Sequence, residues 1–87
     1  MAVNIKMPKW NLAMKEGRIT RWFKNEGDMV NIGDDLFEVE TMHNPDKVKA
    51  PAPGKLSQIF IPAGGRVPVK VVVAVLSEPG EPQYINL

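Results

Sequence analysis

The chain has a single histidine, His43, inside the stretch "VETMHNPDKVKAP" at residues 39–51. An imidazole is the side chain best suited to acid–base work near neutral pH, or to holding a metal. Metal binding needs further ligands. The chain has no cysteine and no second histidine, and Asp46 alone is a poor complement. General-base catalysis needs a nucleophile within hydrogen-bond reach, and none is nearby in sequence. The carboxylates of Asp34, Asp35, Glu38 and Glu40 read as a solvated turn and a strand face, not as a catalytic pair in a cleft. Lys47 and Lys49 alternate with Val48, the pattern of a solvent-facing strand. "AGG" at 63–65 is too short to cradle a phosphate. No catalytic residue and no metal site is expected, and His43 reads as an exposed turn residue.

The elements that position this turn are visible as an internal repeat. Residues 16–40, "EGRITRWFKNEGDMVNIGDDLFEVE", align without a gap on residues 53–77, "PGKLSQIFIPAGGRVPVKVVVAVLS". Gly17 meets Gly54, Phe23 meets Phe60, Gly27 meets Gly64 and Val30 meets Val67; further upstream, Ala13 meets Ala50. Each copy reads as an alternating strand, a Gly-bearing turn, a short strand, a second turn and an apolar strand. Gly27, Gly33, Gly54 and Gly64 read as turn glycines with positive φ. Nothing has a helical period, and eight prolines and seven glycines favour an all-β chain. Two copies are too few for a solenoid. The expected architecture is a twofold pseudo-symmetric β-sandwich or flattened barrel, each half covering the other's apolar face. Residues 1–77 form the domain, with halves at about 4–40 and 47–77 joined by the 41–46 turn. Residues 78–87, "EPGEPQYINL", read as the start of a linker or tail.

Bulk properties bound the function. Eighty-seven residues make one small domain. A net charge of +1 lacks the basic stripe that nucleic acid requires. The absence of cysteine excludes disulfides and thiol chemistry. No apolar run approaches the length that spans a bilayer, and the N-terminus lacks a signal-peptide core. The expectation is a soluble cytoplasmic domain without nucleic-acid or membrane partners.

"MPKW", "MKEG", "EGD", "GDDLFEVET", "APAPG" and "VPV", in this order, resemble a lipoyl domain of the biotinyl/lipoyl attachment family. The resemblance covers residues 4 to about 77. It implies a flattened β-barrel of two four-stranded sheets related by a quasi-twofold axis (a barrel-sandwich hybrid). It implies a non-catalytic carrier whose swinging arm, a lipoyl-lysine, is mounted on the hairpin joining the halves. Such domains belong to acyltransferase components of 2-oxo acid or acetoin dehydrogenase complexes, and "MPKW" and "MKEG" lean toward the acetoin type. The implied partners are the dehydrogenase and acyltransferase components and, in lysine-bearing relatives, lipoate ligase. The domain itself is expected to be monomeric. In the family the loop after the first strand contributes to docking. Here that is residues 9–17, with Trp10 and Met14 as exposed contacts.

The attachment signature departs from the family. A lysine should follow "ET" after one residue, and the count back from "AP" shows no insertion or deletion. His43 stands there, flanked by Met42 and Asn44. Lipoylation makes a stable amide on a primary amine, whereas an acyl-imidazole hydrolyses. Lipoate is therefore the expected cofactor of the family and is not expected on this sequence. Lys47 is the weaker attachment candidate, four residues past the tip. Two other readings stand beside the carrier: a lipoyl-like interaction module without cofactor, and a degenerate biotin carrier in which Met42 matches the first residue of "Met-Lys-Met".

Overall fold

Apolar and polar residues alternate along the chain's longer extended segments, so each turns one face inward. The computed structural model describes residues 2–41 and 45–78. Eight strands follow in order: β1 (Ala2–Lys6), β2 (Glu16–Trp22), β3 (Met29–Val30), β4 (Asp35–Glu40), β5 (Asp46–Lys49), β6 (Gly54–Ile59), β7 (Arg66–Pro68) and β8 (Val72–Ser77). They form two antiparallel four-stranded sheets, β1-β8-β6-β3 and β5-β4-β2-β7. The all-β expectation and the two-sheet architecture both hold.

The core lies between the sheets. Ile19, Leu36, Phe37, Val39, Leu56, Val73 and Ala74 are fully excluded from solvent. Burying each of these side chains other than that of Ala74 contributes about 1.5–3 kcal/mol. Trp22 packs its ring 4.7 Å from that of Phe37 and donates its indole N–H to the Ile61 carbonyl at 2.9 Å. The indole thus closes the end of the barrel without leaving a buried donor unpaired.

The repeat is a true structural twofold, and hydrogen bonds between and within the halves record it. Gly27 donates its N–H to the Leu56 carbonyl, and Gly64 donates to that of Ile19. Leu56 donates to Asp28, and Ile19 to Gly65. Phe23 donates to Leu36, and Phe60 to Val73. In every pair the two members lie 37 residues apart, as Gly27 and Gly64 do (64 − 27).

One part of the expected alignment is corrected. Ala50 does not correspond to Ala13. Ala50 donates to the Asp34 carbonyl and accepts from Gly33; Met7 donates to Val71 and accepts from Lys70. Met7 is therefore the equivalent of Ala50, an offset of 43 (50 − 7). The path from Met7 to Gly17 is six residues longer than that between their equivalents, Ala50 and Gly54 (43 − 37). A gapless alignment extended upstream runs into this extra length and mismatches everything before it.

Four tight turns share one geometry. Asn25-Glu26-Gly27-Asp28 and Asn31-Ile32-Gly33-Asp34 are both N-x-G-D. In each, the Asp N–H donates to the Asn carbonyl, and the Asp carboxylate accepts the Asn N–H at 2.8 Å. The third residue has positive φ, 95° at Gly27 and 88° at Gly33, as a type II turn requires. Gly64 repeats this at 95° in the second half, and the fourth turn uses Lys70 at 72°. Gly54 was expected to belong to this set and does not. It opens β6 in register with Val30. A Cβ there would lie 2.2 Å from the Ser77 carbonyl oxygen, so close backbone approach, not turn geometry, requires glycine.

Candidate functional site

Thr41 and the residues after it link β4 to β5, whose antiparallel register pairs Val39 with Asp46. His43, with Met42 and Asn44, lies outside the described residues. Arg18 reaches across from β2 to Glu40 at 3.2 Å, and Arg66 on β7 reaches Glu16 at 3.3 Å. These pairs are exposed, so they orient side chains more than they stabilise the fold.

Lys47 sits on β5 in register with Glu38. Its ammonium lies 3.6 Å from the Asp35 carboxylate and 5.5 Å from the centre of the Phe23 ring. Arg21 covers the same ring at 4.9 Å. The Lys47 side chain therefore lies along the outer face of the sheet, toward its middle and away from the hairpin tip.

The extra length between β1 and β2 folds into a loop beside the hairpin. Asn11 starts it: its side-chain oxygen accepts the Ala13 N–H at 3.0 Å, an Asx-type turn. Lys9 folds back inside, donating to the carbonyls of Leu12 at 3.2 Å and Met14 at 2.8 Å. Val69 donates its N–H to the Lys15 carbonyl at 3.0 Å, fastening the loop to the second half. Trp10 is 42 % exposed. Met14 is corrected: it is 7 % exposed, not a surface contact. Its methyl lies 3.2 Å from the position a Cβ on Gly17 would take, so it anchors the loop to the core. Leu12, not singled out from sequence, is 94 % exposed at the loop's apex. It follows Asn11, the residue whose side chain caps this turn.

Between this loop and the hairpin runs a groove of about 480 Å³. Asn11, Ala13 and Met14 form one wall, Glu40 and Thr41 the other, and Gly17 lies between them. Lys15, Glu16, Arg18 and Arg66 complete its lining, so its rim is charged.

The family model described as "Biotin-requiring enzyme", the biotin–lipoyl domain, matches residues 3–76. The chain belongs to the biotin–lipoyl domain family. Within that family, curated relatives of the domain include the dihydrolipoyllysine-residue acetyltransferase component of the pyruvate dehydrogenase complex of Rickettsia typhi, 43% identical over 82 residues, 93% of this chain and 20% of that protein. The corresponding component of the acetoin cleaving system of Pseudomonas putida is 42% identical over 72 residues, 83% of this chain and 20% of that protein. The chain thus spans about a fifth of the length of these relatives. Among solved structures, the lipoyl domain of the 2-oxoglutarate dehydrogenase complex from Azotobacter vinelandii superposes with a TM-score of 0.75 at 26% identity, covering 90% of this chain and 99% of that one. A lipoyl domain of this kind is a carrier, not itself a catalyst.

Proposed function

We propose that this domain is the lipoyl-type module of a dihydrolipoyl acyltransferase component, of the pyruvate or acetoin dehydrogenase type, and that it stays unmodified because His43 replaces the attachment lysine. The similarity to acetyltransferase components along 93% of the chain supports the parent. The observation that carries the unmodified state is the inventory of amines around the hairpin. Residues 41–46, "TMHNPD", contain none. The nearest, on Lys47, is held between Asp35 and Phe23. The residues present do not fit an amide-linked lipoyl group, so no transfer step is assigned to this chain. What it retains is the docking side: the 8–15 loop with exposed Trp10 and Leu12 beside the hairpin. Its partners are then the dehydrogenase and acyltransferase components of the complex, met in the cytoplasm, with a tether raising their effective concentration.

The test is incubation with lipoate ligase, ATP and lipoate, read by intact mass. The natural chain should not gain mass, and His43→Lys should gain one lipoyl group. A gain mapped to Lys47 would overturn the reading. Biotin ligase on the same variant separates the biotin-carrier alternative: biotin taken up in preference to lipoate would favour it. The missing amine favours a second reading, a cofactor-free interaction module. Failure of His43→Lys to accept either group would support that one.

A further inference from the structure

The internal twofold provides a control for the groove beside the hairpin. Each of its strand residues has an equivalent 37 positions away in the other half. Glu40, Arg18 and Arg66 lie side by side across β4, β2 and β7, and Glu16 projects from the same face of β2 as Arg18. Their equivalents are Ser77, Lys55, Met29 and Pro53, of which only Lys55 is charged. The two halves build the same backbone with and without this cluster, so the fold does not require it. The opposite wall is equally particular to the first half. The loop that carries Asn11, Ala13 and Met14 has no counterpart in the shorter path from Ala50 to Gly54.

Internal ion pairing does not account for the cluster. Arg18 and Arg66 stand directly opposite each other in the antiparallel register, and like charges so placed are destabilising. Among the described residues, each meets one carboxylate through Nη1 alone, Glu40 at 3.2 Å and Glu16 at 3.3 Å. Well-made contacts of this kind are shorter, about 2.7–2.9 Å, and a guanidinium matches a carboxylate best through two parallel N–H groups. Two adjacent forks are thus only partly used. Lys15 adds a third cation to the lining, against two carboxylates, and it has no ion-pair partner among the described residues. From this row the lining continues past Gly17 to Ala13 and Met14, an extended path of roughly 10 Å. We propose that the groove binds a small aliphatic carboxylate, its headgroup held between the Arg18 and Arg66 guanidiniums and its chain laid past Gly17 toward Ala13 and Met14. A volume of about 480 Å³ between two walls suits a small molecule. None of these groups depends on what position 43 carries.

Titration of the full isotope-labelled chain with hexanoate, read by amide chemical shifts, tests this at low ionic strength, where charge contacts are least screened. Saturable shifts confined to the residues around the groove are expected, with a midpoint of about 1 mM or tighter. Arg18→Gln/Arg66→Gln should weaken binding at least about tenfold. Both side chains are exposed, so the variant should keep its fold, with the shifts of β6 and β8 unchanged. Lys47→Gln, on the same sheet but held at Asp35, should bind hexanoate as the natural chain does. Hexanamide keeps the chain and loses the charge; acetate keeps the charge and loses the chain. Each should bind at least about tenfold more weakly than hexanoate. No saturation by about 10 mM hexanoate would overturn the proposal. So would shifts spread over the whole domain, or hexanamide binding as well as hexanoate. Acetate binding as well as hexanoate would also overturn it, and would assign the arginines to a general anion contact such as an acidic protein segment makes.

Discussion

Lys70 adopts in the second half the backbone conformation that Gly33 adopts in the first, with φ of 72° against 88°. Both are third in their turn, and both donate to an equivalent carbonyl, Met7 for Lys70 and Ala50 for Gly33. A side chain in the left-handed region costs about 1–2 kcal/mol. Glycine removes that cost and returns roughly 0.5–1 kcal/mol through the freer unfolded chain. Lys70→Gly should therefore stabilise the domain by up to about 1 kcal/mol. Gly33→Ala should destabilise it by about 1 kcal/mol or more, although nothing within 4 Å would clash with the new methyl. Urea unfolding of the two variants measures both signs.

Gly17 and Gly54 are equivalent by the twofold but should respond differently to alanine. At Gly54 the new Cβ would meet the Ser77 carbonyl oxygen at 2.2 Å, a backbone atom in the adjacent strand. At Gly17 it would meet the Met7 sulfur at 2.7 Å, a Val39 methyl at 2.8 Å and the Met14 methyl at 3.2 Å. Methionine side chains adapt; a ladder carbonyl does not. Gly17→Ala should cost about 1–3 kcal/mol, the usual range for overpacking. Gly54→Ala should cost more and separate β6 from β8. Thermal unfolding should rank Gly54→Ala below Gly17→Ala; the reverse order would contradict the close-approach reading.

Much of this was legible in the sequence because the two halves check each other. A glycine that recurs in phase, such as Gly27 and Gly64, marks a turn twice over. Strands β2, β4, β6 and β8 follow from alternation or apolar runs of adequate length. What was not legible depended on contacts between distant segments. Gly54 looks like any turn glycine until Ser77 is placed against it. Met14 looks like a surface residue of a loop until Gly17, by lacking a side chain, makes room for it. The six extra residues before β2 were hidden because Ala13 and Ala50 happen to match in type. The contrast between the two outer faces needed the cross-strand register, which the repeat alone does not supply.

Lys9 is the internal strut of the loop beside the hairpin. Its ammonium joins two carbonyls of a loop that makes few other internal bonds. Lys9→Met keeps the aliphatic stem and removes both bonds. Part of the site is solvated, so the stability loss should be small, about 1 kcal/mol or less. The local effect should be larger. Amide exchange of residues 10–15 should accelerate, while that of β4 and β8 stays unchanged. A uniform change across the domain would mean that Lys9 acts on global stability and not on the loop.

Trp10 and Leu12 are the exposed apolar groups of this loop, whose Asn11, Ala13 and Met14 line one groove with Glu40 and Thr41. If the loop docks on a dehydrogenase component, these two side chains carry the contact. Aromatic hot spots typically cost about 2 kcal/mol or more on truncation, roughly thirtyfold in affinity. In a His43→Lys background bearing lipoate, Trp10→Ala and Leu12→Ser should each lower kcat/KM for reductive acylation by the partner dehydrogenase. Together they should lower it by at least about thirtyfold. The thermal midpoint should move little for Leu12→Ser, since that side chain is 94 % exposed. Modification by lipoate ligase should also be unaffected, because the ligase is expected to act at the hairpin tip and not at the loop. Loss of ligation alongside loss of acylation would show that the loop shapes the hairpin itself, and would remove the case for a separate docking surface.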